Sequence, residues 1–328
     1  MRPLPAAFAE YRWAPSSEEI AREFGLPLAD VRRFDGNVPP TPTPAARPEA
    51  IAEAFARVNE YAHGGFPALV EAIAQYAGAE PENVVLGAGA DDLILLCARS
   101  FAGPGDVVEI DPQPTYPLFR ISAQLAGAEV GCASPVVTFT CRPNNPTGVQ
   151  GSLPSARPLV VDEAYFEFAG ETAMHLLDEG VVVLRTFSKA FGLAGARVGY
   201  ALAAVDVAAE LNRRQAPMPI SGISAALALA ALGHGPEVAP HVAERDRCAA
   251  VLAELGLEPP PSRTNFLFVP VRDPEAVGAA LLRQGLVVRV FPDGIRFSVR
   301  DRADDDRLLD ALAVATADEI SPAARSTH

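Results

Sequence analysis

Short apolar segments alternate with amphipathic segments along most of this chain, and this alternation constrains the fold more than any other feature. The helices predicted from it are 48–59, 67–77 and 91–101. The predicted strands are 107–110, 128–132, 136–141, 159–162, 181–185 and 198–202. Strands separated by helices form parallel sheets that are covered on both faces. The pattern therefore predicts an α/β layer with a mostly parallel sheet.

The C-terminal third follows a different pattern, which predicts a smaller α+β domain. Its predicted helices are 221–232, 240–255 and 274–284, and its predicted strands are 265–270, 286–290 and 295–299. We therefore expect a large domain over 41–217 and a small C-terminal domain over 218–328.

Residues 1–40 are predicted to form an N-terminal arm that joins the small domain. A capping sequence at Ser16–Glu19 predicts a short helix that ends near Gly25. The proline-rich segment 38–44 is predicted to be an extended linker, because proline disfavours helix interiors and central strands.

Charge and cysteine usage narrow the classes of partner. The net charge of −14 argues against nucleic acid and anionic membranes, because such partners bind through an excess of Lys and Arg. The four cysteines are scattered without metal-binding spacing, so we expect no metal, no disulfide and a reducing cytoplasm. Residues 1–10 lack the apolar core of a signal peptide, and no run is long enough to span a membrane.

Lys189 directly follows the apolar strand Val181–Leu184, at the strand end where open α/β sheets bind ligands. Taken alone, it is better explained as a solvated loop lysine. Its neighbours indicate a role in ligand binding. Thr186 and Ser188 carry hydroxyls, and Arg197 can bind a phosphate through two N–H groups. Together these groups suit a phosphorylated aldehyde cofactor.

Asp162 ends the apolar strand 159–162, where a buried acid needs a cation or a metal. A magnesium-binding role would require a phosphate-binding loop of the G-x-x-x-x-G-K-[ST] type upstream, and the sequence has none. A protonated pyridine nitrogen is the other natural partner. Tyr165, three residues on, can reach the same pocket.

Three further segments carry groups that suit the same ligand. Asn145, in Arg142–Gly148, either closes a turn or aims its amide at a phenolate oxygen. The glycine-rich turn Gly87–Asp92 precedes a predicted helix and is an anion site, although Asp91 can instead be a helix cap. Tyr116 either stacks on a flat ring or packs in its loop.

In this order, the motifs resemble the fold-type I enzymes that depend on pyridoxal 5'-phosphate (PLP), and among them the histidinol-phosphate aminotransferase family. The segments that carry the resemblance are P-N-N-P-T-G, V-D-E-A-Y and L-R-T-F-S-K-A-F-G-L-A-G-A-R-V-G-Y. The resemblance extends over roughly residues 30–300 and implies the aspartate-aminotransferase-like fold.

The resemblance implies a role for each residue near the cofactor ring. Lys189 would hold PLP as a Schiff base and move the substrate proton. Asp162 would pair with the ring nitrogen. Tyr165 and Asn145 would bind the 3-oxygen of the ring, and Tyr116 would stack on it.

The cofactor phosphate would be held by a second group of residues. Ser188 and Arg197, with Thr186 beside them, would bind its oxygens together with the backbone N–H groups of Ala90 and Asp91. Tyr61 matches a tyrosine that comes from the second subunit in this family, which implies a homodimer with shared active sites.

The same resemblance assigns the substrate contacts. Arg296 matches the arginine that binds the α-carboxylate, and Arg289 matches one that binds a distal phosphate. Both can equally be solvated arginines on neighbouring strands. Tyr11, in the arm, would close over the substrate.

The sequence departs from the family pattern in three places. The segment before the Asn-Pro-Thr-Gly strand is shortened to Cys132–Pro135, and the helix after Gly148 is replaced by a proline-containing stretch, 149–158. We therefore expect one face of the sheet to be thinly covered. His63 replaces the usual residue after Tyr61-Ala62, where it is either a pocket group or a surface residue.

The expected reaction is transamination between histidinol phosphate and 2-oxoglutarate, which yields imidazole acetol phosphate and glutamate. An aromatic-amino-acid aminotransferase and a threonine-phosphate decarboxylase fit the same motifs. A regulator that kept this fold would need an added DNA-binding domain, and nothing before residue 48 is basic or long enough for one.

Overall fold

The computed structural model describes residues 4–5, 7–11, 13–40, 48–62 and 64–317. These residues fall into two compact units. The first takes those within 1–11, 41–145 and 150–237, and the second takes those within 12–40, 146–149 and 238–328. The predicted domain boundaries at 40 and 217 stay a prediction. In the described part of the chain, no helix is both long and apolar enough to cross a membrane.

The first unit is built on a seven-stranded sheet. Its strands are β2 (Val84–Gly87), β3 (Val107–Ile110), β4 (Glu129–Val130), β5 (Val137–Cys141), β6 (Leu159–Asp162), β7 (Val181–Thr186) and β8 (Gly199–Leu202). Their order is β2-β8-β7-β6-β5-β3-β4. Only β8 runs antiparallel to its neighbours, so the sheet is mostly parallel, as predicted.

Helices cover both faces of this sheet. They are α2 (Pro48–Ala56), α3 (Pro67–Ala77), α4 (Ala90–Phe101), α5 (Leu118–Ala126), α6 (Phe166–Ala169), α7 (Val205–Arg214) and α8 (Gly222–His234). Strand alternation divides the core in two: Val160 and Leu184 pack with α4 and α5, whereas Val161 and Val183 pack with α3 and α8.

The second unit contains β1 (Arg32–Arg33), β9 (Phe266–Pro270), β10 (Leu286–Val287), β11 (Arg289–Phe291) and β12 (Gly294–Ser298). Its helices are α1 (Ser17–Phe24), α9 (Ala239–Glu254), α10 (Pro274–Leu282) and α11 (Arg302–Ala315). β11, β12 and β9 form an antiparallel sheet, and β1 pairs with β10. The capping box predicted at Ser16 is present, and Gly25 ends α1 at φ 64°.

The expected thin cover over one sheet face is wrong. Every residue of β6 is buried, and the extended stretch 149–158 contributes Leu153 to the core beside α3 and α8. Leu176 and Leu177, from the 3-10 helix Met174–Glu179, pack against the same core. Side chains from the stretch 149–158 and from this 3-10 helix therefore cover the face where the helix is missing.

Four helices, α5, α6, α7 and α11, were not predicted, and the predicted strand 286–290 is split into β10 and β11. The helix α11 begins at an N-cap, Asp301, whose side chain accepts the N–H of Asp304 at 3.0 Å. This capping signal, an acid followed three residues on by another acid, was present in the sequence.

Candidate active site

The carboxyl ends of the parallel strands meet at one edge of the seven-stranded sheet. Cys141 ends β5, Asp162 ends β6 and Thr186 ends β7. Gly199 pairs with both Thr186 and Gly87, so the end of β2 lies at the same edge. Because the ends of the strands converge, residues that are distant in the sequence meet in one place.

Asp162 is buried at this edge, with 3% of its surface exposed. Its Oδ1 accepts the N–H of Ala164 at 3.0 Å, and its Oδ2 lies 3.9 Å from the Sγ of Cys141. Burial raises the pKa of Asp162 to about 7, while the Ala164 N–H and Lys189 oppose the shift. A buried acid of this kind suits a cationic ring nitrogen as partner.

Lys189 and Tyr165 lie close together at the same edge. The Nζ of Lys189 is 5.9 Å from the centre of the Tyr165 ring, and Tyr165 is buried. Because Lys189 also influences the pKa of Asp162, all three side chains belong to one site. The sequence also held a signal that was missed: Lys189 is the only lysine in the chain.

A tight turn leads from β2 into α4, with Gly89 at φ 82°. A Cβ on Gly89 would lie 2.9 Å from Nη2 of Arg197, so the guanidinium packs directly against the backbone of the turn. The free N–H groups and the positive end of the helix dipole lie at the start of α4, beside this turn. Thr186 donates to Ser188 at 2.9 Å beside it.

Gly199 allows β8 to approach this turn. A Cβ there would meet the backbone of Arg185, Gly89 and Ala90 within about 3 Å. A side chain at position 199 would therefore push the start of α4 away from the sheet edge.

Asp91 is not the helix cap that the sequence allowed. The N-cap of α4 is Gly89, which has no side-chain cap, and Asp92 in the first turn accepts the N–H of Ala88 at 3.1 Å. Asp91 instead accepts from the hydroxyl of Tyr116 at 2.9 Å and from Arg197 at 3.0 Å. Its carboxylate thus joins the residue predicted to stack on the ring to a residue predicted to bind the phosphate.

The two asparagines of the Asn-Asn-Pro turn have different surroundings. Asn144 is buried, accepts from the hydroxyl of Thr115 at 2.6 Å and donates to the carbonyl of Pro114 at 3.0 Å. Asn145 donates its backbone N–H to Cys141, beside Asp162. Asn144 therefore ties the loop of Tyr116 to this turn, and Asn145 stands next to Asp162.

Two predicted tyrosines lie nearer the surface of the first unit. Burial and Asp91 raise the pKa of Tyr116 most, and Tyr11 is close enough to raise it further. Residues 7–9 of the arm bond to Gln124 of α5. Tyr61 follows α2 and is 78% exposed. His63 lies outside the described residues.

Arg289 and Arg296 belong to the second unit, where they lie directly opposite each other on β11 and β12. Arg296 is buried, and its guanidinium lies 5.3 Å from the ring of Phe266. One Nη of Arg296 donates to the carbonyl of Asp35 at 2.8 Å. Like charges opposite each other on a sheet are unfavourable, so the pair suits an anion.

The family model for aminotransferase class I and II matches residues 29–134 and 132–312. The chain belongs to this aminotransferase family. A histidinol-phosphate aminotransferase of Gloeobacter violaceus is 37% identical to it, over 90% of this chain and 94% of the relative. An aromatic amino acid aminotransferase of Corynebacterium glutamicum is 32% identical, over 88% and 94%.

A solved structure of similar fold extends the comparison to the cofactor. The histidinol-phosphate aminotransferase of Sinorhizobium meliloti, in complex with pyridoxal-5'-phosphate, superposes with a TM-score of 0.81. It is 26% identical, covering 96% of this chain and 99% of that one. The similarity confirms the predicted aspartate-aminotransferase-like fold.

Proposed function

We propose that this protein is a PLP-dependent transaminase that moves the amino group of histidinol phosphate to 2-oxoglutarate. The products would be imidazole acetol phosphate and glutamate. The observation that carries the proposal is the meeting of Lys189, Asp162 and Tyr165 at one sheet edge, in a chain whose relatives bear this activity in their names.

The residues at the sheet edge fit PLP in charge and in shape. Asp162 supplies a buried carboxyl whose pKa is raised to about 7, as a partner for a ring nitrogen. The absence of a side chain at Gly89 lets Arg197 pack against the start of α4, where backbone N–H groups can bind a phosphate. The Thr186–Ser188 hydroxyl pair lies beside the same turn.

When bound, PLP supplies a ring that withdraws electrons from the substrate carbon. The roles proposed for the chain follow from chemistry and position. Lys189 would take and return the proton at that carbon, and Asp162 would keep the ring nitrogen protonated. Tyr165 and Asn145 would donate to the 3-oxygen. Arg197 and Ser188 would hold the phosphate, and Tyr116 would pack on the ring.

The substrate would be bound by the two arginines of the second unit. Arg296 would hold the α-carboxylate, because a guanidinium matches a carboxylate with two parallel hydrogen bonds. Arg289 would hold the distal phosphate. Tyr11, at the edge of the first unit, would cover the substrate.

The proposal includes a cytoplasmic homodimer in which Tyr61 reaches the cofactor phosphate of the second copy. Its support is an exposed apolar face beside Tyr61, formed by Ile51, Phe55 and Val58. Such a face on a water-soluble domain marks an interaction surface.

An aromatic-amino-acid aminotransferase is the second candidate, because relatives with that name are about as similar. Arg289→Ala separates the two. A hydrogen bond to a charged group contributes roughly 1.5–3 kcal/mol, so KM for histidinol phosphate should rise about tenfold or more. KM for phenylalanine should change little, and exposed Arg283→Ala should change neither.

Equal effects of Arg289→Ala on both substrates would contradict the phosphate role. Release of carbon dioxide without formation of a keto acid would instead identify a decarboxylase. Both outcomes are read from one substrate panel with purified protein.

A further inference from the structure

A second polar cluster lies behind the candidate active site, and the chemistry proposed above does not use it. It consists of Glu163, Arg185 and Thr172, which we call the Glu163 cluster. Glu163 is 0% exposed and Arg185 is 2% exposed. A buried ion pair of this kind costs desolvation energy and is weak support for stability by itself.

The carboxylate of Glu163 accepts hydrogen bonds from four donors. Arg185 donates from Nε at 3.1 Å and from Nη2 at 3.0 Å. The hydroxyl of Thr172 donates at 2.8 Å, and the N–H of Ala173 donates at 2.6 Å. Glu163 therefore fastens the chain after β6 to β7 and to the segment 172–173.

Arg185 is fixed on its remaining sides as well. Its Nη2 also donates to the hydroxyl of Thr172 at 2.8 Å, and its guanidinium lies 3.5 Å from the centre of the Phe166 ring. Phe166 directly follows Tyr165. The arginine thus holds the residue next to one of the predicted ring-binding side chains.

The turn between Asp162 and Phe166 connects this cluster to the site. The backbone N–H of Glu163 donates to Leu184 on β7 at 2.8 Å, and that of Phe166 donates to the Glu163 carbonyl at 2.9 Å. Within the turn, the N–H of Ala164 donates to Asp162 at 3.0 Å. Any movement of Glu163 would therefore move the donor that orients the Asp162 carboxylate.

We propose that Glu163 and Arg185 are positioning residues that fix this turn, and through it orient Asp162 and Tyr165 toward the cofactor. The inference rests on the proposed PLP function. It differs from a purely structural role in one respect: restoring stability without the cluster should not restore the properties of the bound cofactor.

The double variant Glu163→Met/Arg185→Met makes this distinction. Each single variant leaves one buried polar group without its partner and should unfold at lower temperature. The double variant removes both charges but leaves the Ala173 N–H and the Thr172 hydroxyl without Glu163 as acceptor. Because apolar replacement of a buried ion pair is often neutral, it should recover part of the Tm that the single variants lose.

The readouts are the dissociation constant for PLP, from equilibrium dialysis, and the pH midpoint of the visible absorbance band of the bound cofactor. With a loosened turn, we expect the double variant to bind PLP about tenfold more weakly. The pH midpoint should rise by about one unit for two reasons. A displaced Asp162 would let the ring nitrogen lose its proton, and a displaced Tyr165 would leave the 3-oxygen more basic. Both changes raise the affinity of the Lys189 nitrogen for a proton.

Thr172→Val is a milder variant that decides the matter if the double variant does not fold. It removes one hydroxyl, which bonds to Glu163 and Arg185 and also accepts the N–H of Met174 at 3.2 Å. The matched control is Thr138→Val, which removes a hydroxyl that donates to Glu109 at 2.8 Å, at the opposite end of β5. Thr172→Val should raise the dissociation constant and the midpoint, and Thr138→Val should change neither.

A double variant with wild-type stability, dissociation constant and midpoint would overturn the positioning role, as would equal behaviour of the two threonine variants. A wild-type protein without a visible band would contradict the proposed function itself. The two failures are therefore distinguishable in one set of measurements.

Discussion

Asp162 and Glu163 are consecutive buried acids at the end of β6, yet strand alternation gives them different surroundings. Glu163 accepts from four protein donors, two of them on one guanidinium. Asp162 accepts the N–H of Ala164 and has a thiol beside its second oxygen. Burial raises the pKa of both acids, to about 7 for Asp162.

The difference shows how one strand end can serve two purposes. An acid whose oxygens already accept hydrogen bonds from strong donors holds the backbone in place. An acid with weaker donors, such as a thiol, retains affinity for a cationic ligand. The sheet edge thus combines a rigid support with a site that suits a cofactor ring.

The largest expected effect comes from Asp162→Asn, because an amide cannot hold a protonated ring nitrogen by charge. We expect kcat to fall by about a thousandfold. Exposed Asp178→Asn is the control. A kcat for Asp162→Asn within a few-fold of the wild-type value would show that Asp162 does not serve the cofactor ring.

The next effect concerns stability and reverses the order of the two acids. Glu163→Ala leaves Arg185 buried without its partner and should lower the free energy of unfolding by about 3–5 kcal/mol. Asp162→Ala should lower it clearly less, because burial already opposes ionisation of Asp162. Urea unfolding without added cofactor measures both, and equal losses would show that the two acids support the fold alike.

The smallest effect involves a half-buried acid, Glu167, which accepts from the Tyr76 hydroxyl at 3.4 Å. Burial raises its pKa from 4.5 to about 7. Because the folded-state pKa is raised, its contribution to stability is complete below pH 4.5 and is lost as the pH rises through about 7.

When the pH is raised from roughly 5.5 to 8.5, the Tm of the wild type should fall. The Tm of Glu167→Gln should fall by about 2 °C less. The Tm of the variant should still depend partly on pH, because the pKa values of Asp162 and Asp305 are also raised to about 7. Exposed Glu71→Gln should follow the wild-type curve. If Glu167→Gln follows it too, the pKa of Glu167 is not raised in the folded protein.

Local patterns predicted much of this molecule. The strands 107–110 and 159–162 and the helix 67–77 have the predicted bounds, because their apolar runs end at clear turn residues. Lys189 and Asp162 were placed at strand ends by the same reasoning, and the parallel sheet brings those ends together.

The Glu163 cluster could not be predicted in the same way. Its hydrogen bonds join residues 13 and 22 positions apart, and which side chains face each other depends on the register of β6 against β7. Likewise, the sequence allowed Asp91 as a helix cap, but its carboxylate instead accepts from Tyr116 and Arg197, which lie 25 and 106 positions away along the chain.

The most direct test of the account uses the fact that Lys189 is the only lysine in the chain. The purified protein is incubated with PLP, reduced with borohydride, digested and analysed by mass spectrometry. We expect a phosphopyridoxyl group on the peptide that contains Lys189, and none on the corresponding peptide of Lys189→Ala. An unmodified Lys189 peptide, from protein that stays colourless with PLP, would contradict it.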